Sequence, residues 1–166
     1  MPTLVLGIDP GIASMGYGLI EDNDGELKSI EYGCLTTTAK QATTERLRTL
    51  YQGLIAIMER QQPAEVAVEL FVARNLRTAL TVGQARGVAI LAAANKEIPV
   101  FEYGPLEVKQ MVSGYGRGDK RQIQEMVRIQ LGLESIPEPD HAADALATAI
   151  CHINAARMSR LLASSQ

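Results

Sequence analysis

The chain has 166 residues, 46% of them apolar and 21% charged, with a formal net charge of −3. That length favours one domain around one core, and the balance is that of a folding chain rather than a disordered one. No apolar run is long enough to cross a bilayer, and no basic segment leads into a signal-peptide core, so the protein is expected in the cytoplasm. Cys34 and Cys151 stand alone without a CxxC spacing and read as small core residues, not as a disulfide or a zinc site. Bulk charge gives no reason to expect nucleic acid as a partner, although it is the local distribution of charge that sets the field at a cleft.

Residues 4–8 are a short apolar run that ends at Asp9-Pro10-Gly11, which reads as a buried strand meeting a turn. Residues 17–20 form a second strand, followed by the polar turn "EDNDG", and "LKSIEYGCLTT" alternates well enough for a third. Three strands joined by short turns predict an antiparallel meander. The period then changes. Leu47, Leu50, Leu54, Ile57 and Met58 recur at helical spacing up to about Gln61, and Pro63 ends that helix. "EVAVEL" is a compact strand carrying Glu69 near its end. Residues 74–96 are a long helical stretch whose small residues, from Gly83 to Ala89, would let another backbone approach. "IPVFEY" is a short strand and "LEVKQMV" a helix. After the glycine-rich loop "SGYGRGDK", a further helix spans about 120–131. The stiff linker Ile136-Pro137-Glu138-Pro139 then leads into the alanine-rich helix "DHAADALATAICHINAARMSRLL". The pattern predicts a single α/β domain over 1–166 with a mixed sheet, and a loose tail from about residue 160.

Two strands far apart in sequence thus each end in a carboxylate, Asp9 and Glu69. Ligands of open α/β sheets bind beyond the carboxyl ends of the strands. If these strands are parallel neighbours the two acids meet there, and they repel unless a cation lies between them. His141 and Asp144 are three residues apart and share one face of the last helix, among small alanines that leave room for a ligand. Three carboxylates and an imidazole suit magnesium or manganese, which keep positions open for water and phosphate oxygens. Each residue also has a plainer reading: Asp9 as a turn residue, Glu69 as an exposed strand-end acid, Asp144 as a first-turn acid facing the helix dipole, and His141 as structural. Asp140 reads as the N-cap of the helix, about 100° away from His141.

These pieces, "GIDPG....GYG", "EVAVE.....N", "VGQARGVAI.AA.N", "PVFEY", "VKQ.V.G.G...K" and "ADALA.AI.H", resemble the RuvC family of Holliday-junction resolvases in the ribonuclease-H-like superfamily. The resemblance runs over essentially the whole chain. It implies a ribonuclease-H-like fold, with a mixed five-stranded sheet of three antiparallel then parallel strands flanked by helices. It also implies a homodimer that cuts four-way DNA in paired, symmetric nicks, coupled to the RuvA-RuvB branch-migration complex. By motif, Asp9 and Glu69 match the family's strand acids and Asp144 the second acid of the last-helix motif. His141 takes the other position, where members carry aspartate or histidine. The expected cofactor is Mg2+, two ions per site with Mn2+ able to substitute, held by Asp9, Glu69, His141 and Asp144. In-line hydrolysis at that site leaves 5′-phosphate and 3′-hydroxyl ends. "ELFVARN" is one residue shorter than the usual family run, so the register of Phe71, the candidate wedge into the junction, stays open.

Residues 72–128 hold nine basic residues (Arg74, Arg77, Arg86, Lys96, Lys109, Arg117, Lys120, Arg121 and Arg128) against five acids, so this stretch is positive although the chain is not. Lys109 and Lys120 match family lysines near the cleavage site, with Lys120 expected to assist catalysis. Phe71, Arg74, Arg77, Lys109, Arg117, Lys120 and Arg121 are the expected DNA contacts. For Arg128 and Lys96 an ordinary solvated helix face is the competing reading. The long central helix is the candidate dimer interface, against simple packing on its own sheet. A related nuclease acting on structured RNA, a catalytically silent junction binder and an actin-like ATP-binding protein remain as rival readings; the last lacks a second lobe at this length.

Overall fold

A computed structural model describes residues 1–71, 73–114 and 118–166. Strands β1 (Thr3–Asp9), β2 (Ser14–Asn23) and β3 (Glu26–Thr36) form the antiparallel meander, and β4 (Glu65–Glu69) and β5 (Val100–Tyr103) extend it in parallel, in the order β3-β2-β1-β4-β5. The helices are α1 (Thr43–Gln61), α2 (Leu76–Asn95), α3 (Pro105–Ser113), α4 (Lys120–Gln130) and α5 (Asp140–Ser164). The mixed sheet expected from the sequence is therefore present.

Alternation along the strands decides which helices cover which face. Leu6, Ile8, Leu19, Val66 and Val68 bury one face against Leu50, Leu54, Ile57 and Met58 of α1 and Ala85, Ala89, Ala92 and Ala93 of α2. Val5, Ile20 and Ala67 bury the other against α3, α4 and α5. Each large aliphatic side chain taken out of water contributes about 1.5–3 kcal/mol toward offsetting the entropy of ordering the chain.

Helix α5 is apolar on almost every side from Ala142 to Ile153, as befits a helix wedged between the sheet and α3 and α4. It lies unusually close to β1 and β2 because the strand residues beneath it are glycines. A β-carbon on Gly7 would overlap the Ala145 carbonyl oxygen, one on Gly16 the His141 carbonyl oxygen, and one on Gly18 the Leu146 side chain. In the sequence, Asp9-Pro10-Gly11 reads as a turn. Gly11 does serve the turn, packing against Ser14, but Gly16 and Gly18 are the floor on which the helix rests.

Three further expectations change. Helix α2 starts at Leu76, after an Asn75 cap whose side chain accepts from the Thr78 amide at 2.9 Å, so Arg74 precedes the helix. Asp140 is the first residue of α5 and not its cap; the Pro139 carbonyl accepts from the Ala142 and Ala143 amides, while the Asp140 side chain turns to α4. The helix also continues to Ser164 where a loose tail is expected, although residues 158–166 are exposed. Both cysteines are free, Cys151 buried and Cys34 partly so. No helix among the described residues is long and apolar enough to cross a membrane.

Candidate active site

Strands β1 and β4 are parallel neighbours with Ile8 opposite Val68, so Asp9 and Glu69 are the next residues on adjoining strands. Asp9 alternates with Gly7 and Glu69 with Ala67, so both acids emerge on the α5 face. Helix α5, lowered onto the glycine floor, brings in its first turns. His141 Nδ1 lies 2.8 Å from Asp9 Oδ2, and ligand atoms of Asp9, His141 and Asp144 all fall within 4.8 Å of one another. Glu69 is not one of that trio, but it lines the adjoining cleft, about 260 Å3, with Asp144, Lys109 and Lys120. The four residues singled out in the sequence therefore converge.

Their electrostatics describe a site short of positive charge. Burial, then the nearby Asp9 and Asp144, push the Glu69 carboxyl up to about 8. Burial and Asp9 also raise Asp144, with Lys120 and His141 opposing. The hydrogen bond to Asp9 raises His141. Desolvation pulls the Lys120 ammonium down, but Asp144 and Asp140 outweigh it and hold it above its ordinary value. Lys120 Nζ stands 3.4 Å from Asp140 Oδ2 and 3.6 Å from Asp144 Oδ2. Lys120 thus brings positive charge to the carboxylates, the bond to Asp9 favours the protonated form of His141, and burial disfavours ionisation of Glu69. Two carboxylates and an imidazole beside a third, reluctantly ionised carboxyl form a donor set that fits a hard divalent cation.

The remaining sequence candidates divide. Phe71 is 54% exposed, two residues past Glu69 at the same edge. Arg74 and Arg77 are exposed around the start of α2. Arg121 opens into a different, wider cleft between α4, Tyr32 and the linker at 134–138. Arg117 lies outside the described residues. Three other bases of the positive stretch are matched by acids: Arg86 by Glu102, Lys96 by Glu59 and Arg128 by Glu125.

On α2, Ala85 and Ala89 turn inward to the sheet and α1, so they pack on their own fold. The opposite side carries Leu76, Leu80 and Leu91, which are 75%, 60% and 53% exposed, with nothing within 4 Å of a β-carbon at Gly83 or Gly87.

One cluster was missed in the sequence. His152, 2% exposed, is 2.6 Å from the Tyr103 hydroxyl through Nδ1 and 2.6 Å from Glu65 Oε2 through Nε2, and it stacks on Phe101. It ties α5 to β4 and β5 behind the site, and Tyr103 is register partner of Glu69. His152 closes the "ADALA.AI.H" string quoted above, but the sequence assigns it no role, because both partners come from other strands.

The family model for the crossover junction endodeoxyribonuclease RuvC matches residues 5–152. A RuvC crossover junction endodeoxyribonuclease of Chloroflexus aurantiacus is 63% identical over 148 residues, 89% of this chain and 90% of that one. Its counterpart in Desulfitobacterium hafniense is 56% identical over 156 residues, covering 93% and 94%. Among solved structures, T. thermophilus RuvC in complex with Holliday junction substrate superposes with a TM-score of 0.91 at 36% identity, over 95% of this chain and 96% of that one. The sheet order and strand directions are those of the ribonuclease-H-like resolvases.

Proposed function

The chain belongs to the RuvC family and is a crossover junction endodeoxyribonuclease that resolves Holliday junctions, and on that footing we propose which of its residues do the work. The observation that carries the reading is the meeting of Asp9, His141 and Asp144 within 4.8 Å, with Glu69 on the next strand. In this reading Asp9, Glu69, His141 and Asp144 hold two Mg2+ ions, with Mn2+ able to replace them. Bound there, the pair supplies an activated water and charge stabilisation for the departing 3′ oxygen, which yields 5′-phosphate and 3′-hydroxyl ends.

The protein's own part is placement. Strand ends and a helix packed on glycines hold the ligands on rigid elements, so little reorganisation is left for the reaction. His141 is oriented by Asp9. Lys120 and Lys109, at the mouth of the cleft, take the phosphate backbone, with Arg74, Arg77, Arg117 and Arg121 extending the contact along the arms. Phe71, exposed beyond Glu69, is the wedge that parts bases at the crossover.

Two equivalent strands must be cut, and a two-fold homodimer presents two sites to them. We assign its interface to the outward side of α2, where Leu76, Leu80, Gly83, Gly87 and Leu91 fall within one stripe. Coupling to the RuvA-RuvB branch-migration complex and a cytoplasmic location complete the assignment. The test is a mobile four-way DNA junction incubated with Mg2+ and scored for symmetric, ligatable nicks, beside a folded RNA control. Cleavage of the RNA alone, or asymmetric unligatable cuts, overturns it.

A further inference from the structure

Lys120 is the first residue of α4, whose backbone is fixed by a reciprocal cap: the Gln122 amide donates to Asp119 Oδ1 at 2.8 Å and the Asp119 amide to Gln122 Oε1 at 2.9 Å. The cap holds the α-carbon of Lys120 but not its four-carbon stem. What meets the ammonium is Asp140, and the two oxygens of Asp140 are divided between two residues one turn apart on α4. Oδ1 accepts from Gln124 Nε2 at 3.3 Å, and Oδ2 faces Lys120 Nζ at 3.4 Å. Gln124 is only 9% exposed, so the carboxylate is anchored from the buried side and presents its other oxygen to the lysine. The second neighbour of Lys120 is Asp144, at 3.6 Å.

We propose that Asp140 is a positioning residue for Lys120, holding the ammonium over Asp144 at the mouth of the cleft so that it faces the phosphate bound there. The proposal rests on the reading of Lys120 as a phosphate contact near the reaction. When Asp144 is engaged as a ligand its charge is shared, and Asp140 is the acid that continues to fix Lys120. Both side chains are more than half exposed, so the pair adds little to stability, and its effect falls on where the lysine spends its time. The competing account is that Asp140 only complements the N-terminus of α5, as any first-turn acid would.

The experiment is a cycle of Asp140→Asn, Lys120→Ala and the double variant, with Asp140→Glu as the conservative replacement. Asparagine keeps an acceptor for Gln124 and removes the charge seen by Lys120. Nicking of a four-way junction in Mg2+ is expected to slow about fivefold in kcat for Asp140→Asn, with KM within about twofold. The double variant should be no slower than Lys120→Ala alone, and Asp140→Glu should recover most of the rate. Independently of activity, the side-chain NMR signals of 13C-labelled Lys120 in the metal-free protein should pass from a fixed to an averaged environment in Asp140→Asn. Additive rate losses, or Lys120 signals identical in wild type and Asp140→Asn, overturn the proposal. If the wild-type protein fails to nick junctions, the functional reading fails on its own and the NMR comparison still decides whether Asp140 holds the lysine.

Discussion

His141 and Asp9 meet at 2.8 Å although they are 132 positions apart in the chain, and their hydrogen bond joins the first strand of the fold to its last helix. The bond orients an imidazole on a helix with a carboxylate on a strand. Because Asp9 raises His141, their mutual attraction stabilises the metal-free protein below the ordinary histidine range and fades as pH rises through the folded-state value. Asp9→Asn should bring the NMR titration midpoint of His141 in the metal-free protein down toward its ordinary 6.5. The same variant should lose nicking by about 1,000-fold while retaining junction binding, read by gel shift without Mg2+. Full nicking would remove the cation-binding role of Asp9.

Glu69 makes the metal-free protein sensitive to pH in the opposite sense from a salt-bridged acid. Its carboxyl titrates near 8 when folded and at an ordinary 4.5 when unfolded, so the folded state holds an extra proton between those values. Stability should therefore fall as pH rises from about 4.5 to about 8, by at most about 1.4 kcal/mol per pH unit from this group. Urea unfolding in chelator across that range should show the decline, and Glu69→Gln should flatten it. Added Mg2+ should stabilise wild type more at pH 8 than at pH 6, where a proton must first leave. An unchanged slope in Glu69→Gln refutes this account.

Gly16→Ala places a methyl group where the His141 carbonyl oxygen stands, and α5 cannot retreat without taking Asp144 with it. The expected cost is about 1–3 kcal/mol in urea unfolding, the size of overpacking elsewhere, together with a loss of nicking larger than the loss of stability explains. Wild-type activity at full Mg2+ occupancy would mean that the closeness of helix and strand does not matter.

His152→Ala removes two hydrogen bonds and a stacked ring from the interior and leaves the Glu65 and Tyr103 partners short of theirs. A loss of about 2–4 kcal/mol in urea unfolding is expected. A loss below ~1 kcal/mol would show that solvent replaces the contacts.

Leu80→Asp puts a charge in the middle of the outward side of α2. Sedimentation should show wild type as a dimer and the variant as a monomer with an unchanged far-UV spectrum. A variant that remains dimeric places the interface elsewhere.

Much of this was legible in the residues. Asp9 after an apolar run and Glu69 after another are visible because strand ends in such sheets are where ligands bind, and His141 and Asp144 because their spacing puts them on one helix face. Contacts that form only in three dimensions left little trace. Nothing in the sequence says why Gly16 and Gly18 are glycines until a helix is laid over them, and His152 shows what it holds only when Glu65 and Tyr103 arrive from two strands. Within the positive stretch of 72–128, Arg128 pairs with Glu125 at a helical spacing visible in the sequence, whereas Arg86 and Lys96 find Glu102 and Glu59 only once the chain is folded.

The pairing of β1 with β4 sets a rule about length that substitutions do not probe. Removing one residue between Val5 and Ile8, or between Glu65 and Val68, would turn the terminal acid onto the α1 face of the sheet, away from its partners, with every ligand still encoded. Beyond Glu69 the strand is over, and a chain there can be shorter or longer without changing which way the acid points. A deletion just after Glu69 would leave the acid facing its partners, whereas the same deletion a few positions earlier would put the site out of register.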